Sequence, residues 1–334
     1  MKSILALVIW IAGGLSVCAQ GKEIRLLAVG DINLGRSAGQ ILLQDSIEYP
    51  FRLVRSVFRE HSVVFANLES PITDQNGETQ HPRDIYRFCA PPQAAKALRK
   101  SGVTVVSLAN NHALDYDVAG LSETIDHLNM EGIAHTGASK DSTAFFAPAI
   151  LERGGIRIGF LAYTEFVNQK GWEGRVSVFN SQRMRREVQA LRQSVDVLVA
   201  SYHGGKEYAE KPGENSLHQM KSLVDAGADI VLGHHPHVPQ GIERYKGKWI
   251  FYSLGNFIFL QPQRKWALKS FAASMTIRKD SAGVSIGQIL LAPLEVSNQP
   301  SFDVSESLRQ SVFDRLKNLS TLPFVRKDSL LAVD

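Results

Sequence analysis

Three histidines stand within four positions in "DIVLGHHPHVPQ" (229–240): His234, His235 and His237. Imidazoles crowded after an apolar run can be solvated turn residues, a pH-sensitive patch or ligands converging on a metal. Where the other polar residues fall bears on the choice. Asp31 and Asn33 follow the apolar run 24–30, and Asn67 and Glu69 end the run 62–69. Asn110, Asn111 and His112 follow 103–109, and His203 follows 195–202. Each run ends in a carboxylate, an amide or an imidazole. Imidazole and carboxylate together bind zinc, manganese or iron(II), whereas calcium and magnesium prefer all-oxygen shells. One or two divalent transition ions are therefore expected, and a pair about 3.5–4 Å apart would polarise a phosphoryl or acyl oxygen and acidify bound water. In extended geometry His235-x-His237 points both rings to one face. Asp31 and Glu69 could supply the charge that holds two cations close.

Each residue also has a plainer reading. Asp31 after a glycine can cap a turn, and Glu69 before Ser70-Pro71 can decorate the surface. Asn110-Asn111 can be a left-handed turn pair. His203 beside two glycines can be structural, and His234 can face away from the pair and bond backbone. The joint placement, rather than any one residue, points to a polar or metal site. His61, His81, His127, His135 and His218 have no converging context and read as structural.

Positioning these groups requires a regular frame. The runs 24–30, 62–69, 103–109, 195–202 and 229–233 read as buried strands. Helices are expected around 50–60 and over 91–102, 116–131, 181–193 and 213–226, several ending at glycine. This alternation predicts an α/β fold with a largely buried sheet, and ligands in such sheets bind beyond the carboxyl ends of the strands. Residues 144–164, 241–260 and 269–296 read as hairpins turning at Gly154-Gly155, Lys246-Gly247 and Asp280–Gly283. Hairpins among βα units imply a mixed sheet, or two sheets face to face with helices outside. Residues 301–334 are polar and read as a terminal helix and tail.

The 334 residues are 44% hydrophobic and 21% charged, which suits a globular protein able to bury a large core. The net charge of +4 is dispersed, and the densest basic stretch, "RMRREVQALR" (183–192), reads as one amphipathic helix. No nucleic-acid partner is expected. Residues 1–19 carry Lys2, an apolar stretch and a small-residue cleavage pattern at Val17 and Ala19, the marks of a secretory signal peptide. Export to the periplasm or beyond is therefore expected, with Gln20 as the new first residue. Cys18 offers the alternative of a lipid anchor. Removing the signal leaves Cys89 alone, which cannot form an internal disulfide and reads as a small buried residue.

Six stretches in order carry a family resemblance: "AVGDINLGR" (28–36), "FANLESPIT" (65–73), "SLANNHALDYDVAGL" (107–121), "HGGKEY" (203–208), "GHHPHVPQ" (233–240) and "YSLGNFIF" (252–259). The series resembles CapA/PgsA-type proteins, which are associated with poly-γ-glutamate capsule synthesis and export and related to calcineurin-like metallophosphoesterases. The resemblance implies a four-layer α/β/β/α sandwich over 20–300. It implies metal ligation by Asp31, Glu69, Asn111, His203, His235 and His237, with His112 as the catalytic acid. Asn67 competes with Glu69, and Asn33, His234 and Asn256 are further candidates for the site. Asn33 departs from the phosphoesterase pattern, which has histidine there, as does Glu69, where an aspartate normally bridges two ions. Arg36, Arg83, Arg87 and Lys206 adjoin the motifs and could clamp an anionic substrate or be ordinary surface charges. "HPRDIYRF" (81–88) is the segment expected to reach over the cleft. The implied function is a metal-dependent hydrolase of a phosphoester or γ-glutamyl amide. The alternative is a polyanion-binding accessory, and either could work with a membrane synthase or export complex. No P-loop is present to supply ATP chemistry.

Overall fold

The computed structural model describes residues 22–44, 46–141 and 147–334. The signal-peptide segment and Cys18 lie outside them.

The first stretch of chain alternates strand and helix: β1 (Lys22–Ile32), α1 (Arg36–Leu43), α2 (Arg55–Arg59), β2 (Val63–Leu68), α3 (Gln93–Ser101), β3 (Val105–Ser107), α4 (Asp117–Met130) and β4 (Ala134–Thr136). The second builds another sheet from β5 (Ala149–Arg153), β6 (Ile156–Thr164), α5 (Ser181–Arg192), β7 (Val197–His203), α6 (Glu214–Ala226), β8 (Ile230–His234), β9 (Ile242–Tyr245) and β10 (Lys248–Phe251). The chain then returns to the first sheet through β11 (Asn256–Ile258), β12 (Lys269–Asp280), β13 (Gly283–Glu295), α7 (Glu306–Leu319), β14 (Val325–Lys327) and β15 (Leu330–Val333). Sheet one runs β14-β15-β13-β12-β1-β2-β3-β4 with β11 beside β1, and sheet two runs β5-β6-β7-β8-β10-β9.

Period-two patterning puts Leu26, Ala28, Phe65 and Val105 of sheet one against Phe160, Val199, Ile230 and Leu232 of sheet two. Phe65 and Phe160 stack across this seam at 5.9 Å, and truncating either would cost about 3–5 kcal/mol. Leu42, Leu98 and Leu121 of the first helices cover the outer face of sheet one. Met184, Val188 and Met220 of α5 and α6 cover sheet two. The result is the expected α/β/β/α sandwich. Helix ends follow local chemistry: α3 stops at Gly102 in the left-handed region, and Asn180 caps α5 by accepting from Arg183 N–H.

Three local expectations change. Around 50–60 the chain forms a 3₁₀ turn (Tyr49–Phe51) and the five-residue α2 rather than one helix. The 241–260 hairpin pairs only β9 with β10, because its second arm leaves sheet two after Phe251 and joins β1 as β11. The final residues add the β14–β15 hairpin to sheet one, a non-local pairing that a polar pattern does not signal.

The crossing at 252–256 positions the strand ends. Leu254 N–H donates to Gly233 O (3.0 Å), and Asp31 N–H donates to Gly255 O (2.9 Å). A Cβ at Gly30 would sit 1.9 Å from Gly255 O, and one at Gly233 would sit 2.0 Å from Tyr252 O. Glycine before Asp31 and before His234 thus lets one crossing segment press against both sheets, drawing the ends of β1 and β8 together.

Candidate metal centre

Asp31 and Glu69 are fully buried at the carboxyl ends of β1 and β2. Asp31 Oδ1 accepts from Asn67 Nδ2 (2.9 Å) and His234 Nδ1 (3.0 Å), while Oδ2 lies 3.3 Å from His237 Nδ1. Glu69 Oε2 accepts from Asn67 Nδ2 (3.3 Å). Its other oxygen, Oε1, is buried with no hydrogen-bond partner, 3.7 Å from His203 Nε2 and 3.9 Å from His237 Nε2. Two buried three-donor sets converge here, Asp31–Glu69–His203 and Glu69–His235–His237, each with ligand atoms within 4.8 Å of one another. Glu69 belongs to both.

The electrostatics explain why these groups fit a cation. Burial raises Asp31, but hydrogen bonds from His234 and His237 outweigh it and hold the carboxyl well below its ordinary range. Burial, then the Asp31 charge, pushes Glu69 well above the usual carboxylate range. Burial, then His235, holds His203 well below the ordinary histidine value, and burial, then His237, pushes His235 down to about 3. Neutral imidazole is the ligating form, and an unpartnered buried carboxylate oxygen is what a divalent ion satisfies.

The histidine turn differs from its expected geometry. His235 (φ 93°) and His237 (φ 60°) both adopt positive φ around Pro236, so the pair is not extended. Such backbone costs about 1–3 kcal/mol per residue and clusters at functional sites. It brings both rings toward Glu69 by curling the chain instead of by strand alternation. His234 ends β8 and, instead of bonding backbone, uses Nδ1 on Asp31; its buried Nε2 has no hydrogen-bond partner.

The remaining candidates separate by contact. Asn111 Oδ1 lies 2.8 Å from His203 Nε2. Asn67 orients both carboxylates through Nδ2 and accepts from Asn110 Nδ2 (3.2 Å), so the left-handed-turn candidate Asn110 proves to be a brace. Asn256 Oδ1 accepts from His237 Nδ1 (2.9 Å), which leaves Nε2 as that ring's lone-pair nitrogen. Asn33 accepts from Gly35 N–H (2.9 Å) at the entry to α1, and its buried Nδ2 has no partner.

A cavity of about 390 Å³ opens beside the cluster, with Asn111, His112 and His235 among its lining. His112 Nδ1 donates to the buried Asp115 Oδ2 (2.8 Å), which also accepts from Phe88 N–H (2.8 Å). Sequence reading overlooked Asp115; its spacing three residues after His112 was the available signal. Asp84, Tyr86 and Arg87 of the 81–88 segment line the cavity, as do Glu207 of the "HGGKEY" stretch and Phe166, Asn168 and Gln169, which no motif marked. Of the four basic candidates only Arg87 is on that lining. Arg36 is turned onto Ile85 O (3.1 Å) and over the Phe88 ring (4.7 Å), and Arg83 and Lys206 are exposed.

The family described as "Bacterial capsule synthesis protein PGA_cap" matches residues 25–261. The PGA biosynthesis protein CapA of Bacillus subtilis is 29% identical over 91% of this chain and 78% of its own. The capsule biosynthesis protein CapA of Bacillus anthracis is 31% identical over 72% of this chain, which spans only 61% of that relative's length. A probable polyglutamine synthesis accessory protein of Mycobacterium tuberculosis is 28% identical over 92% of this chain and 87% of its own. The chain belongs to the PGA_cap family of bacterial capsule synthesis proteins.

Proposed function

We propose that this protein is an exported metal-dependent hydrolase of capsule polymer metabolism, acting on a phosphoester or a γ-glutamyl amide. One observation carries the reading: Glu69, with a buried unpartnered oxygen, is common to two three-donor sets beside a cavity lined by His112. Asp31, Glu69 and His203 would hold one divalent ion and Glu69, His235 and His237 another, with Asn111 beside His203. Zinc, manganese or iron(II) suits these donors, and such ions, when bound, polarise a phosphoryl or acyl oxygen and acidify water. Asp115 accepts from His112 Nδ1–H, which leaves Nε2 as the free nitrogen; when the ring carries a proton on both nitrogens, Nε2–H gives its proton to the leaving oxygen or amine. Arg87 pairs with negative charge on the substrate. Secretion uses the 1–19 signal, and the mature first residue reports the route: Gln20 for cleavage, Cys18 for a lipid anchor.

The test is turnover of chromogenic phosphoesters and γ-glutamyl amides by the metal-loaded chain. His112→Ala should lower it by about 10²–10⁴ with metal content unchanged; undiminished turnover would contradict the assignment. A second reading, a non-enzymatic accessory gripping an anionic polymer, is favoured by Asn33, a weaker donor where phosphoesterases place histidine. It would show as polymer binding without hydrolysis, alone or with a membrane synthase or export complex.

A further inference from the structure

The charge on the cavity walls does not match the interior of a polyanion. Beyond the floor of Asn111, His112 and His235, the lining carries one guanidinium, Arg87, against two carboxylates, Asp84 and Glu207. Arg87 is fixed by its Nε bond to Asp115 O and by the Tyr116 ring 5.4 Å away. Asp84 Oδ1 accepts from Tyr86 N–H (3.0 Å), a turn that holds the acid beside the aromatic. Glu207 is close enough that its charge helps raise Glu69. Tyr86 and Phe166, 67% and 37% exposed, both line the cavity. Phe166 meets the His235 ring edge-on at 5.1 Å, and Asn168 N–H donates to Asn111 O (2.9 Å), so this wall is tied to the floor.

A stretch of interior acidic units carries only negative charge and would meet two carboxylates. An acidic chain linked through side-chain carboxyl groups carries an ammonium and a carboxylate on one carbon only at its amino end. The volume, near the lower end of the roughly 300–1,000 Å³ range for small-ligand sites, suits a chain end better than a through-running polymer.

We propose that the cavity recognises the free amino end of an acidic, γ-linked chain, with the ammonium toward Asp84 and Glu207, the α-carboxylate on Arg87, and the methylenes between Tyr86 and Phe166. This deepens the reading of the site as one acting on such a chain and rests on it. Aromatic faces add attraction for the ammonium, and the bidentate fork of arginine selects the carboxylate.

Isothermal titration calorimetry on the full metal-loaded chain tests this with a γ-linked glutamate trimer and its N-acetylated form. The free trimer should bind at least tenfold tighter than the acetylated one. Asp84→Asn/Glu207→Gln, with folding checked by circular dichroism, should erase the difference by weakening the free trimer alone, and Arg87→Gln should weaken both. Equal binding of the two trimers, discrimination that survives the double substitution, or binding of neither would overturn the proposal. Turnover measured in parallel separates the two ideas. Discrimination without hydrolysis ends the γ-glutamyl amide reading and keeps the end-recognition site; hydrolysis without discrimination does the reverse.

Discussion

Buried and half-buried carboxylates occur at both ends of the sheets, and the two ends treat them differently. At the amino end of β8, Asp229 accepts from Leu198 N–H (2.9 Å) and Lys248 Nζ (2.6 Å) and pairs with Arg192. Nearby Asp196 accepts from Arg157 N–H (2.8 Å) and Lys279 Nζ (2.7 Å). At the carboxyl ends, histidines are the only basic side chains that Asp31 and Glu69 meet among the described residues, Asn67 donates to both, and one Glu69 oxygen has no hydrogen bond. The amino end resolves its charges internally and contributes stability. The carboxyl end carries an unsatisfied carboxyl oxygen at the expense of stability, as binding and catalytic sites do.

Amide-for-carboxylate substitutions break the contrast directly. Glu69→Gln removes the donor common to both sets, so metal affinity should fall by more than the ~100-fold upper end for outer-shell partners. Calorimetric titration with zinc or manganese measures it. In chelated protein the same substitution should raise stability at neutral pH by about 1–3 kcal/mol, because the buried carboxyl no longer has to take up a proton or carry an unpaired charge. Asp229→Asn should instead lower stability by about 2–4 kcal/mol, since Lys248 and Arg192 lose their partner. Urea denaturation of the three chelated proteins reads both signs. Asn256→Ala frees the His237 ring and should weaken metal binding by about 10–100-fold with the fold retained.

The smallest effect lies in the helix layer. Burial raises Glu187 from 4.5 to about 7, with Tyr163, Arg183 and Arg186 pulling it back. A folded value above the unfolded one means the contribution is fully present below about pH 4.5 and lost as pH rises through 7. Glu187→Gln should flatten the stability–pH curve over that window, measured by denaturation at several pH values. A curve unchanged from wild type would contradict the assignment.

The contrast also marks what was legible in the sequence. Strands and helices of the βα units follow hydrophobic period, and Asp31, Glu69, His203, His235 and His237 stand out because each ends such a run. Their support was less visible. Asp115 precedes α4 in "ALDYD" and resembles an ordinary turn acid, although it holds His112. Asn256 and β11 depend on a crossing between sheets, a non-local pairing that no periodicity encodes. The positive φ of His235 and His237 opposes local preference and is imposed by the tertiary frame. Cavity walls such as Phe166 and Asn168 sit on loops without pattern. Local rules locate the donors; tertiary contacts decide how they are aimed.

A metal centre at the carboxyl ends of the strands would show in the metal content of the chain itself. Elemental analysis of residues 20–334 purified without chelators, beside His235→Ala/His237→Ala, tests it most directly. One or two divalent transition ions per chain are expected, diminished or lost in the variant. No bound ion after zinc, manganese and iron have each been offered would contradict it.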